Sequence, residues 1–285
     1  MLFQYFALLD RFDSDKDELD LSYYRRTLRI RKIPKKTLED FLLRRKSSFP
    51  SINDLFETAI SLGEKMYWID YHYEVEDSRE AMIRANNTIH EEMERVILAL
   101  RLFKEGCVRI AFYVWRISET ERQFSSSVLG FKSGERLYFL ASSELPALKV
   151  FHKNLRAFMC KRKESRTPLD IALSRFDDGY ERVKPEDKII DYMIALEALY
   201  LQGESSGELA YRFAHRMAVL LAAKKEERQQ LFSQIKKSYE LRSKIVHGAK
   251  YKLSPQDVWF VEDKLRLSIK VFLRTPKPNW LNLIF

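Results

Sequence analysis

The chain has 285 residues, 46% of them hydrophobic, so it can bury a large core and is too apolar to be disordered throughout. Glycine and proline are scarce, with eight of each, which favours long helices over a turn-rich β-sandwich. The formal net charge of +9 points to anionic partners.

The sequence predicts a cytoplasmic protein. No apolar run reaches the ~18 residues that a membrane-spanning helix needs. The apolar opening segment, MLFQYFALLDRFD, lacks the basic flank and the small-residue cleavage site of a signal peptide. The two cysteines, Cys107 and Cys160, form no metal-site pattern, and their scarcity fits a reducing compartment.

Two adjacent segments of opposite charge follow this start. Residues 10–20 contain six carboxylates, whereas residues 25–46 contain ten cations against two carboxylates, a net charge of +8. Such a field suits a polyanion, so we predict RNA contacts for one basic set of side chains: Arg25, Arg26, Arg29, Arg31, Lys32, Lys35 and Lys36. A solvated surface, or pairing with the preceding acidic segment, stays open as an alternative.

The rest of the N-terminal half is predicted to mix strands and helices. The aromatic segment 65–76 predicts a strand, and so do segments 107–117 and 136–141. Thr88, with Glu91 three residues later, predicts the start of an amphipathic helix that ends near Gly106. Residues 142–160 predict a second such helix. We therefore expect an α+β domain over residues 1–168, with an unassigned role in sensing or substrate choice.

Residues 169–285 are predicted to form an all-α domain, because only helical patterns are found there. Short connections make neighbouring helices antiparallel, which favours a four-helix bundle. The four helices are expected at about residues 185–201, 205–223, 226–247 and 254–273.

Residues typical of helix ends punctuate these helices. Gly203 and Gly248 would end the first and third helices. Ser205 is the predicted N-cap of the second helix, with Glu208 at its N3 position. Ser254 is the predicted N-cap of the fourth helix and is followed by proline.

Two of the predicted helices each direct one charge inward. Glu197 interrupts the apolar stripe of the first helix, and Arg242 interrupts that of the third, between Tyr239 and Ile245. Because a lone buried charge costs several kcal/mol, the two side chains should pair or line a solvated cleft. A structural ion pair and a functional site are both compatible with this pattern.

His247 stands five residues after Arg242, just before Gly248. On a straight helix this offset places the two side chains about 140° apart around the axis. They converge only if the helix unwinds at Gly248 or if a second subunit supplies one of them. A histidine at a helix C-terminus also has a structural explanation, because its cationic form suits the helix dipole.

Three segments, DYMIALEALYL, SGELAYRFAHRMAVLLA and YELRSKIVHGAK, resemble the HEPN superfamily in its Apea-like branch. The last segment contains the R-x(4–6)-H motif, with four residues between Arg242 and His247 and with Gly248 following. The likeness covers about residues 180–275, a third of the chain. It implies a HEPN-type four-helix fold over the C-terminal domain.

The resemblance also implies an activity, because many HEPN domains are metal-independent endoribonucleases that dimerise and join two motifs in one cleft. Arg242 and His247 would take the motif roles, and Glu197 would be the inward acid. Ser243 occupies the position where many active members have Asn, Asp or His. We assign the neighbouring cation Lys244 to RNA contact. Stress response or anti-phage defence would be the setting, with a cognate antitoxin as a possible partner.

The chemistry suits RNA, which carries its own 2′-hydroxyl nucleophile. An imidazole titrates near neutral pH and can transfer protons, and a guanidinium can bind the phosphate. Attack by the 2′-hydroxyl would then give a 2′,3′-cyclic phosphate and a 5′-hydroxyl. The alternative is a non-catalytic HEPN module that binds RNA or a partner protein, which Ser243 favours. No metal or cofactor is predicted.

Other motifs do not support a rival function. GESSG fits G-x-S-x-G with Ser205 as nucleophile, but a helix rather than a strand precedes it. A calcium-loop pattern starts at Asp13, yet Glu18 replaces the required glycine and Tyr24 the bidentate glutamate.

Overall fold

A computed structural model of the chain falls into two compact units, Met1–Ala157 and Phe158–Phe285. The residues that it describes are 2–23, 26–37, 39, 65–74, 76, 78–117, 123–126, 136–161, 166–202 and 208–275. The first unit contains a β-sheet, and the second is mostly helical. The predicted order of an α+β region followed by a helical region is therefore confirmed.

The described sheet of the first unit has the strand order β3-β4-β5-β1-β6-β7, and all its neighbouring pairs are antiparallel. The central strand β1 was not predicted. Its residues are apolar almost throughout, and consecutive residues such as Ala7, Leu8 and Leu9 are buried, so both faces are covered there. The alternation that marks a strand is therefore weak. The strands are β1 Leu2–Asp10, β3 Glu18–Asp20, β4 Thr27–Lys32, β5 Tyr67–Glu74, β6 Arg109–Ile117 and β7 Gln123–Ser126.

One face of this sheet forms the core of the first unit with the long helix α1, Arg79–Phe103. Alternate residues of a strand point to the same face, which brings the buried side chains of β1, β4 and β5 together. From the helix, Ile89, Met93, Val96 and Leu100 complete the same buried cluster. The strand contribution consists of Tyr5, Ala7, Leu9, Leu28, Ile30, Tyr67, Ile69 and Tyr71.

The N-cap of α1 lies ten residues before the predicted one, so the prediction of an N-cap at Thr88 is wrong. Ser78 is the N-cap, and its side chain accepts a hydrogen bond from the Ala81 amide at 3.1 Å. Thr88 lies inside the helix, where its hydroxyl donates to the carbonyl of Arg84 at 2.8 Å. The same residue type caps a helix or bonds back to the preceding turn, so Thr88 alone did not mark a boundary.

A short parallel pair, β2 (Phe12–Ser14) and β8 (Tyr138–Leu140), lies outside the main sheet and leads to helix α2, Leu145–Cys160. The Ser14 hydroxyl donates to the Leu140 carbonyl at 2.7 Å. Helix α2 therefore starts from a position that is fixed by the N-terminal chain.

A buried carboxylate connects α1 to α2 and to the chain before β4. Glu92 of α1 accepts hydrogen bonds from Tyr23 at 2.6 Å, from Arg95 at 2.7 Å and from Arg156 of α2 at 3.0 Å. Arg26 lies 3.5 Å from the same carboxylate. Burial opposes ionisation, but the hydrogen bonds and positive charges, chiefly from Arg156, keep the pKa of Glu92 below its usual value.

The described part of the second unit contains five helices. The last four, α4 to α7, lie within a few residues of the four predicted helices, and α3 packs along α4 and also contacts α7. The helices are α3 Pro168–Glu181, α4 Pro185–Tyr200, α5 Leu209–Leu221, α6 Lys225–Val246 and α7 Pro255–Arg274.

The predicted N-caps differ in outcome. Ser254 caps α7 as predicted: its side chain accepts from the Asp257 amide, and the Asp257 carboxylate accepts from the Ser254 amide at 2.8 Å. The prediction of Glu208 at the N3 position of α5 is wrong. Glu208 is the N-cap of α5, and its φ of 31° is left-handed, which a right-handed helix cannot include. Ser205 and Gly203 lie outside the described residues.

Replacing Glu92 with alanine is expected to lower the free energy of unfolding by about 3 kcal/mol, because three arginines would lose their buried counter-charge. Glu91→Ala is the matched control, because Glu91 is 60% exposed although it also contacts Arg95, and it should cost less than about 1 kcal/mol. Urea denaturation measures both variants. Equal losses would contradict the role given to Glu92.

Gly179→Ala is expected to destabilise the second unit by about 1–3 kcal/mol, although alanine is the better helix former. A Cβ atom on Gly179 of α3 would lie 2.1 Å from Cε1 of the buried Tyr192 on α4. Ser174→Ala, at an exposed position of the same helix, is the control and should be neutral or slightly stabilising. Thermal unfolding compares them, and a Gly179→Ala variant as stable as the wild type would show that α3 and α4 are not in close contact.

Candidate functional site

The structure brings together the two inward charges that the sequence singled out. Glu197 lies on α4 and Arg242 on α6, and the Oε2 of the first is 3.6 Å from the Nη2 of the second. Each side chain is about one quarter exposed, 24% for Glu197 and 25% for Arg242. The pair therefore holds two helices together and still faces solvent.

Neither member of this pair has its hydrogen-bonding capacity filled. The Nε of Arg242 and the Oε1 of Glu197 are buried and have no hydrogen-bond partner among the described residues. A buried donor or acceptor without a partner costs about 1–3 kcal/mol, so unsatisfied groups of this kind commonly mark places where a ligand or water binds. Both atoms are closed to solvent, so an anion could meet only the exposed quarter of the Arg242 side chain and not its Nε.

Burial raises the pKa of Glu197 above its usual value, and the positive charge of Arg242 counteracts this only in part. A carboxyl in this situation can exchange a proton at higher pH than a surface glutamate. Glu197 therefore both positions the guanidinium and is itself less strongly ionised than a surface glutamate.

His247 is the C-cap of α6, and its side chain is exposed. The helix ends in a Schellman motif: the amide of Ala249 donates to the Lys244 carbonyl at 3.0 Å, and that of Gly248 to Ile245 at 3.3 Å. Gly248 has a φ of 67°, the left-handed conformation that this motif requires. The predicted end of the helix at Gly248 is therefore observed.

The structure does not join His247 to the other two residues. No hydrogen bond or ion pair connects its ring to any side chain of the described residues, including Glu197 and Arg242. The helix stays regular up to Val246, so the separation of about 140° around the axis persists. Of the residues between Arg242 and His247 in sequence, Ser243 is half-buried and Lys244 is exposed.

The predicted basic set is largely paired with carboxylates of the same unit. Arg31 lies 2.9 Å from Glu18, Arg29 lies 3.6 Å from Glu18, and Lys32 lies 3.4 Å from Asp17. The antiparallel register of β3 and β4 places Glu18 directly opposite Arg31. For this part of the set, pairing with the preceding acidic segment describes the structure better than a free field for RNA.

The remaining members of the basic set differ among themselves. Arg26 is 23% exposed and turns toward the buried carboxylate of α1. Lys35 lies 3.8 Å from Glu39, and Lys36 is exposed. Arg25 lies outside the described residues. Among these described members, Lys35 and Lys36 are the exposed ones, and Lys35 has a weak surface pair with Glu39.

Sequence reasoning did not single out Glu92 or the buried His152, which lies on α2. Glu92 sits in the charged run EEMER, where nothing distinguishes the one glutamate that faces inward, except its spacing from Ile89 and Val96 on the buried stripe. No group of three metal-binding side chains occurs among the residues described here.

Comparisons with models of known protein families, with curated proteins and with solved structures give no match. The resemblance to the HEPN superfamily therefore rests on the three quoted segments alone. None of the helices in the described part of the chain is long and apolar enough to cross a membrane.

Arg242→Ala is expected to raise the pKa of Glu197 further, because burial then acts without an opposing charge. A carboxyl whose pKa is higher in the folded chain stabilises the fold at low pH, and this stability is lost as the pH rises through the folded pKa. Between about pH 4 and pH 7 the variant should therefore lose up to about 1 kcal/mol more than the wild type.

Urea denaturation at both pH values measures this difference. Lys244→Ala is the matched control, because it removes an exposed cation from the same region of α6. If the two variants show the same pH dependence, Arg242 does not act on Glu197.

Proposed function

We propose that this chain is a metal-independent endoribonuclease of the HEPN type that acts as a homodimer in the cytoplasm. The observation that supports the proposal most is the half-buried guanidinium of Arg242, held 3.6 Å from Glu197 with a buried Nε that lacks a partner. A guanidinium stays charged at all physiological pH values and matches the geometry of a phosphate. Because one quarter of the Arg242 side chain is exposed, part of it lies within reach of an RNA phosphate.

In this proposal, Arg242 binds the scissile phosphate and stabilises the negative charge that develops on it. The 2′-hydroxyl of the RNA attacks the adjacent phosphorus, and its proton passes to a base. The 5′-oxygen leaves and takes up a proton from an acid. The imidazole of His247 would perform one of these transfers. The products are a 2′,3′-cyclic phosphate and a 5′-hydroxyl.

A second copy of the chain completes the site in this proposal. His247 is exposed at the end of α6 and points away from Arg242 around the helix. Pairing of two subunits by a two-fold axis would bring each imidazole toward the other subunit's guanidinium. The proposal includes the four-helix HEPN bundle, formed by α4 to α7, as the module that dimerises.

The setting proposed from the resemblance is stress response or anti-phage defence, with the first unit serving in sensing or substrate choice. Lys35, Lys36 and Lys244 are exposed members of the predicted set of RNA contacts. A cognate antitoxin is the additional partner that this setting would supply.

The second candidate function is a non-catalytic HEPN module that binds RNA or a partner protein. It is favoured by the exposed ring of His247, which no described side chain orients. A catalytic histidine normally has one ring nitrogen fixed by a hydrogen bond, which sets its tautomer. Ser243, in place of a larger polar residue, favours the same alternative.

Incubation of the purified full chain with single-stranded and structured RNA, with and without a chelator, tests the proposal. Arg242→Ala and His247→Ala are each expected to lower the rate of cleavage by at least about 100-fold. His215→Ala and Arg212→Ala on α5 are matched controls that remove the same functional groups elsewhere. Light scattering reports whether each variant keeps the oligomeric state of the wild type.

Cleavage that survives chelation, leaves a cyclic phosphate end and disappears in both motif variants supports the enzyme. RNA binding without strand scission supports the non-catalytic module instead. Cleavage that persists in both motif variants would overturn the assignment of Arg242 and His247.

A further inference from the structure

A cleft of about 480 Å³ opens in the first unit, between α2 and the residues that follow β3. This volume lies in the range of small-molecule binding sites. The side chains that matter for its chemistry are Leu21, Tyr23, Lys149, His152, Lys153 and Arg156. None of them belongs to the residues proposed for RNA cleavage, so the proposed nuclease activity does not account for this cleft.

The wall that α2 contributes to the cleft is strongly basic. Lys149, Lys153 and Arg156 are spaced by four and three residues and therefore share one face of the helix. No carboxylate is among the described residues that line the cleft. The nearest counter-charge of Lys149 is Asp20 at 3.9 Å, with both side chains at least 40% exposed, which is a weak pair. An anionic group would complete the charge balance of this wall.

One of these cations is held rigidly in place. Both oxygens of the buried Glu92 accept hydrogen bonds from Nε of Arg156, at 3.0 and 3.1 Å. The guanidinium carbon of Arg156 also lies 4.9 Å from the centre of the Tyr23 ring. Glu92 is shared by three arginines, so the surroundings of the cleft keep an excess of positive charge. Arg156 is thus a fixed cation of the wall, whereas Lys149 and Lys153 are exposed or half-exposed and can adjust to an anion.

A buried imidazole adjoins the same space. His152 is only 4% exposed, lines the cleft and packs edge-on against Tyr23, with ring centres 5.9 Å apart. Its Nε2 has no hydrogen-bond partner among the described residues. Burial lowers the pKa of His152 to about 4, so the ring is neutral at physiological pH. A polar group without a partner beside a basic cleft is a second indication of a ligand.

We propose that this cleft binds a small phosphorylated molecule of about nucleotide size. The phosphate would lie against the ammonium groups of Lys149 and Lys153, which act as mobile point charges for phosphate oxygens. Inorganic phosphate would fill only a small part of the volume. The remaining space is bordered by Leu21 and the ring of Tyr23, which suit the apolar or aromatic body of an organic phosphate.

Isothermal titration calorimetry of the full chain tests this proposal with the four ribonucleoside 5′-monophosphates as probes. Inorganic phosphate and the unphosphorylated nucleosides are titrated separately. At least one nucleotide is expected to bind more tightly than both inorganic phosphate and its own nucleoside. The double variant Lys149→Gln/Lys153→Gln should bind that nucleotide at least about 10-fold more weakly, because two charge-assisted contacts are lost.

Lys236→Gln/Lys237→Gln is the matched control, because it removes two exposed lysines from α6 and should leave the affinity unchanged. Arg242→Ala should also leave it unchanged, which separates this site from the proposed nuclease site. Thermal unfolding verifies that the double variant at the cleft is folded. Absence of nucleotide binding, or full affinity in Lys149→Gln/Lys153→Gln, would overturn the proposal, as would inorganic phosphate binding as tightly as every nucleotide.

Discussion

A charge that is removed from water must find partners within the protein, and this constraint shapes both units of the chain. In the first unit, Glu92 is 1% exposed and is satisfied by Tyr23 and by arginines from its own helix and from α2. A hydrophobic residue at this position would leave those arginines next to one another. The sheet supplies the core of the unit, whereas Glu92 determines how α1, α2 and the chain before β4 meet.

The second unit meets the same constraint in two different ways. In its interior, Arg266 contacts Glu262 and Asp263, and it donates to Tyr180 at 2.9 Å, so this cluster is closed. The pair of Glu197 and Arg242 is open: one contact at 3.6 Å joins the two, and each keeps a buried atom without a partner. The Arg266 cluster has its partners within the protein, whereas the Glu197–Arg242 pair does not have all of them. This difference is the physical reason to look for function at Glu197 and Arg242.

Periodicity predicted the helices, whose pattern is local in the sequence. Features that depend on contacts between distant segments could not be predicted from it. The last four helices of the second unit followed from spacing and from residues typical of helix ends, and the inward direction of Glu197 and Arg242 followed from spacing. The role of the basic set could not be predicted from spacing, because the register that places Glu18 opposite Arg31 arises only when β3 and β4 pair. The cleft beside α2 was equally out of reach, since Tyr23 and His152 meet only in the folded chain.

The position of β1 has a consequence for how the first unit forms. Its two neighbours in the sheet are far from it along the chain, since Leu9 pairs with Tyr67 and Phe3 with Ile117. Both pairings require the closure of long loops before any contact is gained, which makes folding slow relative to proteins with local contacts. Until these partners arrive, an apolar strand with two unpaired edges is exposed to other chains. Yield and aggregation during synthesis will therefore depend on β1.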